Sequence, residues 1–217
     1  MGGKYAEYPA NGQNAVPRPT LEVNGVPVWK GLLDRDAQVA LLAEIDAVMR
    51  AAPPVRHVTP SGRPMRVAMT AAGKVGWVSD KDGYRYASRH ASGAPWPPIP
   101  PRLLGLWAWL LPDARLPESC LVNHYDASAR MGLHQDRDEA DLTQPVLSIS
   151  LGDAAQFRVG GTTRGGPTTS VWLESGDVLA LLGPSRLAYH GIDKLRPGSS
   201  TLLPEGGRIN LTLRVVT

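Results

Sequence analysis

From Cys120 to the end of the chain, apolar residues recur with a period of two in short runs that glycine-rich turns separate. A period of two places alternate side chains on opposite faces of a strand, so each run predicts a short β-strand. About eight strands at this spacing are typical of a β-sandwich or barrel, including the jelly-roll type. The runs cover residues 120–125, 131–135, 145–151, 155–160, 170–174, 177–183, 186–190 and 208–216.

Two helices are predicted to flank these strands from the first half of the chain. The first begins after Asp34, a suitable N-cap, and ends before Pro53-Pro54. The second covers residues 101–111, where a leading proline suits the first helical turn. The predicted fold class is therefore mainly β with flanking helices. The predicted buried stripes are Val39, Leu42, Ile45 and Met49 in the first helix and Leu103, Leu106, Trp107 and Leu110 in the second.

The length of 217 residues suits one sizeable domain with its own core. Residues 1–20 are rich in Gly, Pro, Asn and Ala without periodicity, and we expect them to be irregular. We expect one domain over residues 21–217, with a lobe or lid at 55–100 and the strand-rich core at 115–217.

The lid lobe (residues 55–100) differs from the rest of the chain in charge as well as in pattern. Its first part, residues 55–90, contains seven basic and two acidic residues, a local net charge of +5 in a chain whose total is +3. Several aromatic residues lie among these charges. A local basic excess is the expected footprint of a polyanion such as nucleic acid, although an ordinary solvated surface would look the same.

The cysteine content bears on the cellular compartment. Cys120 is the single cysteine, so an internal disulfide is excluded and a reducing cytoplasm is expected. The sequence shows no signal-peptide pattern and no run of transmembrane length, so no membrane partner is expected.

The pair His134-x-Asp136 lies in the predicted strand at 131–135 and just beyond it. Residues i and i+2 of an extended strand share a face, so an imidazole and a carboxylate emerge side by side. With a second imidazole they would form the two-histidine, one-carboxylate site of non-haem Fe(II) oxygenases. His190, placed by its pattern at the end of the predicted strand 186–190, is a candidate third ligand. Taken alone, the pair could also lie in a polar surface loop, and His190 could be a core histidine.

The last predicted strand carries polar residues on one face and apolar residues on the other. Two arginines on one face of a largely apolar strand would be costly to bury unless they bind anions. A dicarboxylate would suit them, because guanidinium binds carboxylate through two hydrogen bonds. A solvent-exposed face with ordinary salt bridges is the alternative. The polar face consists of Arg208, Asn210, Thr212 and Arg214.

These segments together resemble the AlkB family of Fe(II)/2-oxoglutarate-dependent dioxygenases, and the bacterial members most of all. The similarity spans about residues 20–216, and its specificity comes from the order of the motifs rather than from any one of them. The motifs are Asn123-x-Tyr125, His134-x-Asp136-x-Asp138-Glu139, Ser148-Ile149-Ser150-Leu151-Gly152, Ser185-Arg186-Leu187-x-Tyr189-His190-Gly191 and Arg208-x-Asn210-Leu211-Thr212-x-Arg214, with Met69-Thr70-Ala71-Ala72-Gly73-Lys74-Val75-Gly76-Trp77 and Gly83-Tyr84-Arg85-Tyr86 in the lid lobe.

The resemblance implies a double-stranded β-helix (jelly-roll) core with an N-terminal nucleotide-recognition lid. It implies that His134, Asp136 and His190 bind the iron and that Arg208 binds the distal carboxylate of 2-oxoglutarate. The residues implied to support the co-substrate are Asn123, Tyr125, Asn210 and Arg214, and those implied on the substrate side are Trp77, Tyr84, Asp138 and Arg164. Trp77 would stack on the base and Asp138 would contact its exocyclic amine. Trp77 could instead be a core tryptophan, and Tyr86 fits lid packing as well as substrate contact.

The implied activity is DNA repair by oxidative demethylation of 1-methyladenine and 3-methylcytosine. Fe(II), 2-oxoglutarate and O₂ would be required, and formaldehyde, succinate and CO₂ would be released. We expect a monomer. Its expected substrate is single-stranded or locally opened DNA, with RNA as a further candidate, because a methyl group inside a duplex is out of reach. Two alternatives remain open at this point. One is a 2-oxoglutarate dioxygenase for RNA, protein or a small molecule, and the other is a non-enzymatic nucleic-acid-binding β-barrel.

Overall fold

The period-two runs fold into antiparallel strands that form two facing sheets. The computed structural model describes residues 15–217, so most of the predicted irregular segment 1–20 lies outside the described residues, and 15–20 form no helix or strand. The strands within the described range are β1 (Leu21–Val23), β2 (Val26–Trp29), β3 (Ala68–Gly73), β4 (Gly76–Asp80), β5 (Gly83–Ala87), β6 (Ser119–Tyr125), β7 (Met131–His134), β8 (Val146–Gly152), β9 (Ala154–Val159), β10 (Thr169–Leu173), β11 (Val178–Leu181), β12 (His190–Arg196) and β13 (Arg208–Arg214).

Seven strands form the major sheet, in the order β1-β2-β11-β8-β13-β6-β3, and four form the minor sheet, in the order β10-β9-β12-β7. All of the pairings are antiparallel. A continuous apolar cluster joins the two sheets, with Phe157 and Ile192 from the minor sheet and Leu121 and Leu179 from the major sheet. This architecture confirms the predicted mainly β fold with a jelly-roll core.

Helices α1 (Arg35–Ala51) and α2 (Pro101–Leu110) cover the outer face of the major sheet. Asp34 is the N-cap of α1 as predicted, since its Oδ1 accepts a hydrogen bond of 2.9 Å from the Ala37 amide. The four predicted residues of α2 are all buried. No helix within residues 15–217 has both the length and the apolar character needed to cross a membrane.

The predicted buried stripe of α1 is confirmed at Ile45, while Leu42 and Met49 are partly buried against the core and Val39 was wrong. Val39 is 50% exposed, and the helix instead buries the stripe that contains Leu41, Ile45 and Val48. Gln38 begins this stripe because its side-chain amide donates to the Leu33 carbonyl oxygen at 2.7 Å. A polar residue therefore occupies a buried position that hydrophobic periodicity alone would not assign to the core.

The predicted strand at 186–190 was also wrong. Gly183–Ser185 form a turn of 3₁₀ helix, residues 186–189 continue as a turn and coil, and His190 begins β12 instead of ending a strand. The Ser185 carbonyl accepts from the Ala188 amide at 3.0 Å, which closes the turn. The turn is favoured because Gly183 has a φ of +50° and Pro184 has no amide proton to give to a sheet.

The lid lobe contributes to two different sheets. Its strand β3 pairs with β6 along the edge of the major sheet, from Ala68 opposite His124 to Gly73 opposite Ser119. Its strands β4 and β5 pair only with each other in the described chain and form a separate two-stranded sheet, which we call the lid hairpin. The lid hairpin is thus attached to the core through side chains rather than through a shared backbone ladder.

Candidate active site

A cavity of about 520 Å³ lies between the two sheets at the end covered by the lid hairpin. Strand β13 lies at the centre of the major sheet, and its alternation explains why the cavity is polar on one wall. Ile209, Leu211 and Leu213 point towards the helices, and the opposite face of the strand lines the cavity. The predicted polar face Arg208, Asn210, Thr212 and Arg214 is therefore inside the protein and not on its surface.

The minor sheet brings the three predicted metal ligands together. His190 at the start of β12 pairs directly with His134 at the end of β7. Asp136 follows two residues after β7, and its carboxylate oxygens lie 3.7 Å from His134 Nε2 and 4.0 Å from His190 Nε2. One potential ligand atom from each of the three residues lies within 4.8 Å of the others. This spacing suits one metal ion bound by all three side chains.

The orientation of both imidazoles is set by backbone carbonyls. His134 Nδ1 lies 2.9 Å from the Gly132 carbonyl oxygen, and His190 Nδ1 lies 2.9 Å from the Ala188 carbonyl oxygen. A proton on each Nδ1 leaves the Nε2 lone pair directed at Asp136, which is the arrangement that a histidine ligand requires. Burial and the neighbouring His134 lower the pKa of His190 to about 4, so this imidazole is neutral near pH 7.

Asp136 is held in its ionised form. Burial alone would raise its pKa, but the positive charge of Arg214 and the hydrogen bond that Arg214 donates hold the pKa well below the usual range. Arg214 Nη2 donates to Asp136 Oδ2 at 2.9 Å, which leaves Oδ1 on the side of His134. Two imidazoles and one carboxylate with an open side form a donor set that fits Fe(II).

Arg208 supplies a second binding feature in the same cavity. Its side chain is fully buried, and Nη2 donates to Ser150 Oγ at 2.8 Å. Nε and Nη1 have no hydrogen-bond partner among residues 15–217. Burial lowers the pKa of Arg208 to about 10, yet the group remains charged near pH 7. A buried guanidinium with two free donors fits a carboxylate ligand.

Other polar groups line the wall between Arg208 and the triad. Asn210 accepts from Asn123 Nδ2 at 3.4 Å and donates to Ser148 Oγ at 2.8 Å, while Asn123 Oδ1 has no partner within the described range. Tyr125 is buried at the base of the same wall. The wall thus holds unpaired donors at both ends, Arg208 Nε and Nη1 at one and Arg214 Nη1 at the other, which suits a short ligand with polar atoms at both of its ends.

The sequence profile of the 2OG-Fe(II) oxygenase superfamily matches residues 25–214. The chain belongs to this superfamily. The chain is also 57% identical over 206 residues to an alpha-ketoglutarate-dependent dioxygenase AlkB homolog of Caulobacter vibrioides, with 94% of each chain covered. It is 40% identical over 185 residues to the alpha-ketoglutarate-dependent dioxygenase AlkB of Escherichia coli, covering 82% of this chain and 85% of that protein.

The solved structure of OsALKBH1 is similar to this AlkB-family chain, with a TM-score of 0.74 and 29% identity over 91% of this chain and 99% of that one. The predicted family is thereby confirmed. As a 2OG-Fe(II) oxygenase, this oxidoreductase uses Fe(II), 2-oxoglutarate and O₂. The triad and the unpaired guanidinium of Arg208 are where this 2OG-Fe(II) oxygenase would hold the metal and the co-substrate.

The residues predicted on the substrate side line the cavity, with one exception. Trp77 and Tyr84 of the lid hairpin stack at a centroid distance of 5.5 Å and an interplanar angle of 19°. Trp77 Nε1 donates to Asp138 Oδ2 at 2.8 Å, and all three residues line the cavity. Arg164 is exposed in a glycine-rich loop and lines a separate depression on the surface, so the structure does not bring it to the cavity wall.

Two pairs of residues support the site although the sequence did not predict this role for them. Ser148 and Ser150 support Asn210 and Arg208, and their signal was a pair of hydroxyls at i and i+2 in an otherwise apolar strand. Glu139 and Arg186 form a buried ion pair of 3.0 Å behind the triad of this oxygenase. Both residues lie within quoted motifs, but nothing in their spacing indicated that they would meet.

Proposed function

We propose that this dioxygenase demethylates N-alkylated bases in DNA, with 1-methyladenine and 3-methylcytosine as substrates and a preference for single strands. The supporting observation is that one cavity holds both the metal triad and the Trp77–Tyr84 aromatic pair beside the carboxylate of Asp138. A flat aromatic pair suits a nucleobase, since every base presents a π-face. A nearby carboxylate and an aromatic face both favour a base that carries a positive charge, as methylation at these ring nitrogens produces.

The protein contributes binding and orientation to this reaction. When bound, the iron with 2-oxoglutarate and O₂ supplies the oxidising power that inserts one oxygen atom into a C–H bond and yields succinate and CO₂. Arg208 would bind the distal carboxylate of the co-substrate. The unpaired Arg214 Nη1, which is a hydrogen-bond donor, marks where an acceptor oxygen at the near end would lie. The hydroxymethyl base that results loses formaldehyde and returns to its unmodified form.

The preference for single strands rests on the position of the site. The triad lies inside the cavity rather than on a ridge, so the base must leave its stack to reach it. Unstacking costs a few kcal/mol and costs least in a single strand. The exposed basic residues of the lid lobe would bind the flanking phosphates. RNA shares these features, and the test therefore includes it.

The test follows formaldehyde and the mass of the base after air is admitted to protein loaded with Fe(II) and 2-oxoglutarate. Substrates are matched oligonucleotides containing 1-methyladenine or 3-methylcytosine as single-stranded DNA, duplex DNA and single-stranded RNA. We expect equal formation of formaldehyde and repaired base, fastest with single-stranded DNA, and none with a His134→Ala variant. Methylated bases that persist while succinate forms would contradict the proposed substrate, and turnover by His134→Ala would contradict the metal site.

We also propose that one chain, a single domain over residues 21–217 with its lid lobe at 55–100, works as a monomer in the cytoplasm. In support, the described residues alone place the triad and Arg208 in one cavity. Cys120 is buried and free, which is compatible with a reducing compartment. Sedimentation of the active protein at assay concentration should show one species of monomer mass, and a dimer there would contradict the monomer.

A further inference from the structure

A buried cluster of four charges lies directly behind the metal triad. Its two positive and two negative groups balance, which is the condition for burying charges at modest cost. The side chains are between 2% and 8% exposed. The members are Asp136, Glu139, Arg186 and Arg214.

Glu139 joins the two arginines of this cluster. Its Oε2 accepts from Arg186 Nη2 at 3.0 Å, and its Oε1 lies 3.3 Å from Arg214 Nε. Each arginine then reaches Asp136. Arg214 Nη2 donates to the carboxylate at 2.9 Å, and Arg186 Nη1 donates to the backbone carbonyl at 2.6 Å. Glu139 thus fixes both of the groups that orient the predicted iron carboxylate without touching the metal position itself.

The lid hairpin also contacts the carboxylate of Glu139. Tyr86, on β5, donates its hydroxyl to Glu139 Oε1 at 2.5 Å. Burial raises the pKa of Tyr86 far above its ordinary value, so the hydroxyl keeps its proton and acts as the donor. This hydrogen bond joins a hairpin that shares no backbone ladder with the two main sheets to the charge cluster behind the triad.

We propose that Glu139 is a positioning residue through which docking of the lid hairpin and binding of Fe(II) strengthen one another. When Tyr86 is docked, one Glu139 oxygen is held, the two arginines keep their positions, and Asp136 faces the histidines. When the hairpin opens, Glu139 loses this donor and the arginines gain freedom. The coupling acts in both directions by thermodynamic necessity, so bound metal must also hold the hairpin closed.

The first test measures Fe(II) affinity in the presence of 2-oxoglutarate, under anaerobic conditions, by equilibrium titration. Tyr86→Phe removes only the hydroxyl and should weaken Fe(II) binding about three- to tenfold, less than the roughly 10- to 100-fold typical of a group that touches a metal ligand. The matched control is Ser79→Ala. Ser79 lies in the same hairpin, and its buried hydroxyl donates to the Val58 carbonyl at 2.6 Å, but it does not contact the cluster. This control should bind Fe(II) with native affinity.

The second test measures hydrogen exchange in the lid hairpin. Loading native protein with Fe(II) and 2-oxoglutarate should slow amide exchange across residues 83–87, and the slowing should be largely lost in Tyr86→Phe. The proposal would be overturned if Tyr86→Phe and native protein bound Fe(II) with equal affinity. It would also be overturned if amide exchange in the hairpin were equally fast with and without Fe(II). An equal loss of affinity in Ser79→Ala would assign the effect to general destabilisation and would overturn it too.

A third test asks whether the path runs through Glu139. If it does, the double variant Tyr86→Phe/Glu139→Met binds Fe(II) no more weakly than Glu139→Met alone, because methionine has no carboxylate to accept from Tyr86 and both changes then remove one connection. Additive losses would show that Tyr86 acts by another route. None of these measurements uses a nucleic-acid substrate. The coupling can therefore fail while base demethylation stands, and demethylation can fail while the coupling stands.

Discussion

Arg208 is expected to lower the stability of the ligand-free fold and to strengthen the binding of 2-oxoglutarate. Its guanidinium is buried with two unpaired nitrogen atoms, which costs folding free energy until a carboxylate binds. Arg208→Met should raise the Kd for 2-oxoglutarate at least about 100-fold, since two charge-assisted hydrogen bonds contribute about 1.5–3 kcal/mol each. The thermal midpoint of the ligand-free variant should equal or exceed the native one. Arg115→Met, at an exposed ion pair, is the control that should retain native affinity. Native affinity in Arg208→Met would remove Arg208 from the co-substrate site.

Gly191 matters because of the space it leaves next to the metal site. A Cβ atom there would lie 2.6 Å from the Met131 carbonyl oxygen and 2.9 Å from that of Gly132, which orients His134. Gly191→Ala should therefore displace β7, weaken Fe(II) binding about tenfold or more, and lower stability by about 1–3 kcal/mol. Gly161→Ala is the control, because a Cβ atom at that position would meet no atom of a non-neighbouring residue within 4 Å. Folded Gly191→Ala with native Fe(II) affinity would contradict this role.

Among the secondary-structure elements, the helices and most strands could be predicted because period and capping act locally. The N-cap at Asp34 and the buried face of α2 needed no knowledge of the rest of the fold. The secondary-structure predictions failed where contacts with residues distant in sequence determine the local conformation. Residues 186–189 form a turn that places Arg186 against Glu139, and such a contact between positions 47 residues apart leaves no periodic signal. The metal triad could be proposed from motif order, but the cluster that orients it could not.

The segment after β13 is held by one carboxylate, Glu118. Its Oε2 accepts from the backbone amides of Val216 and Thr217, at 3.0 and 2.8 Å. Burial opposes ionisation, but these hydrogen bonds and Lys74 outweigh it and lower the pKa of Glu118 to about 2. A depressed folded-state pKa stabilises the fold above the unfolded value near about 4.3, and this stability is lost as the pH falls towards about 2.

Glu118→Gln should consequently lose about 1–2 kcal/mol of unfolding free energy at pH 7 and progressively less as the pH falls from about 4.5 to 2. Urea unfolding across this range measures the difference between variant and native protein. Asp113→Asn, at an exposed carboxylate close in sequence, should follow the native curve at all pH values. A Glu118→Gln deficit that stays constant down to pH 2 would show that charge is not the cause.

At the scale of the whole molecule, the major sheet is buried on both faces, by helices on one side and by the minor sheet on the other. This arrangement explains why a strand such as β13 can carry arginines inward without exposing them. The site draws on β6, β7, β8, β12 and β13, so its geometry depends on the register of both sheets rather than on one loop. The exposed basic residues belong to the lid lobe, whose hairpin is part of neither main sheet.

The positive charge of the lid lobe predicts how nucleic-acid affinity depends on salt concentration. All seven basic residues of segment 55–90 are exposed, and four of them form no ion pair with any residue in the range 15–217. These four are Arg63, Arg66, Lys81 and Arg89. If all four contact phosphates of a single strand, the slope of log affinity against log salt is about −2.8, which is about a 50-fold loss between 50 and 200 mM salt. A methylated nucleoside, which has no phosphate, should show no comparable loss.

Substitution of two of these residues gives the decisive comparison. Arg66 follows the cavity-lining Met65 in sequence, and Lys81 lies at the tip of the lid hairpin, whose Trp77 and Tyr84 line the cavity. The double variant Arg66→Gln/Lys81→Gln should reduce the magnitude of the slope by about 1.4, because each phosphate contact of a single strand contributes about 0.7. Lys194→Gln, at an exposed lysine over Trp172 on the minor sheet, should leave the slope unchanged. An unchanged slope in the double variant would place the nucleic acid on another face of the molecule, while a reduced slope in Lys194→Gln would extend the contact surface across the minor sheet.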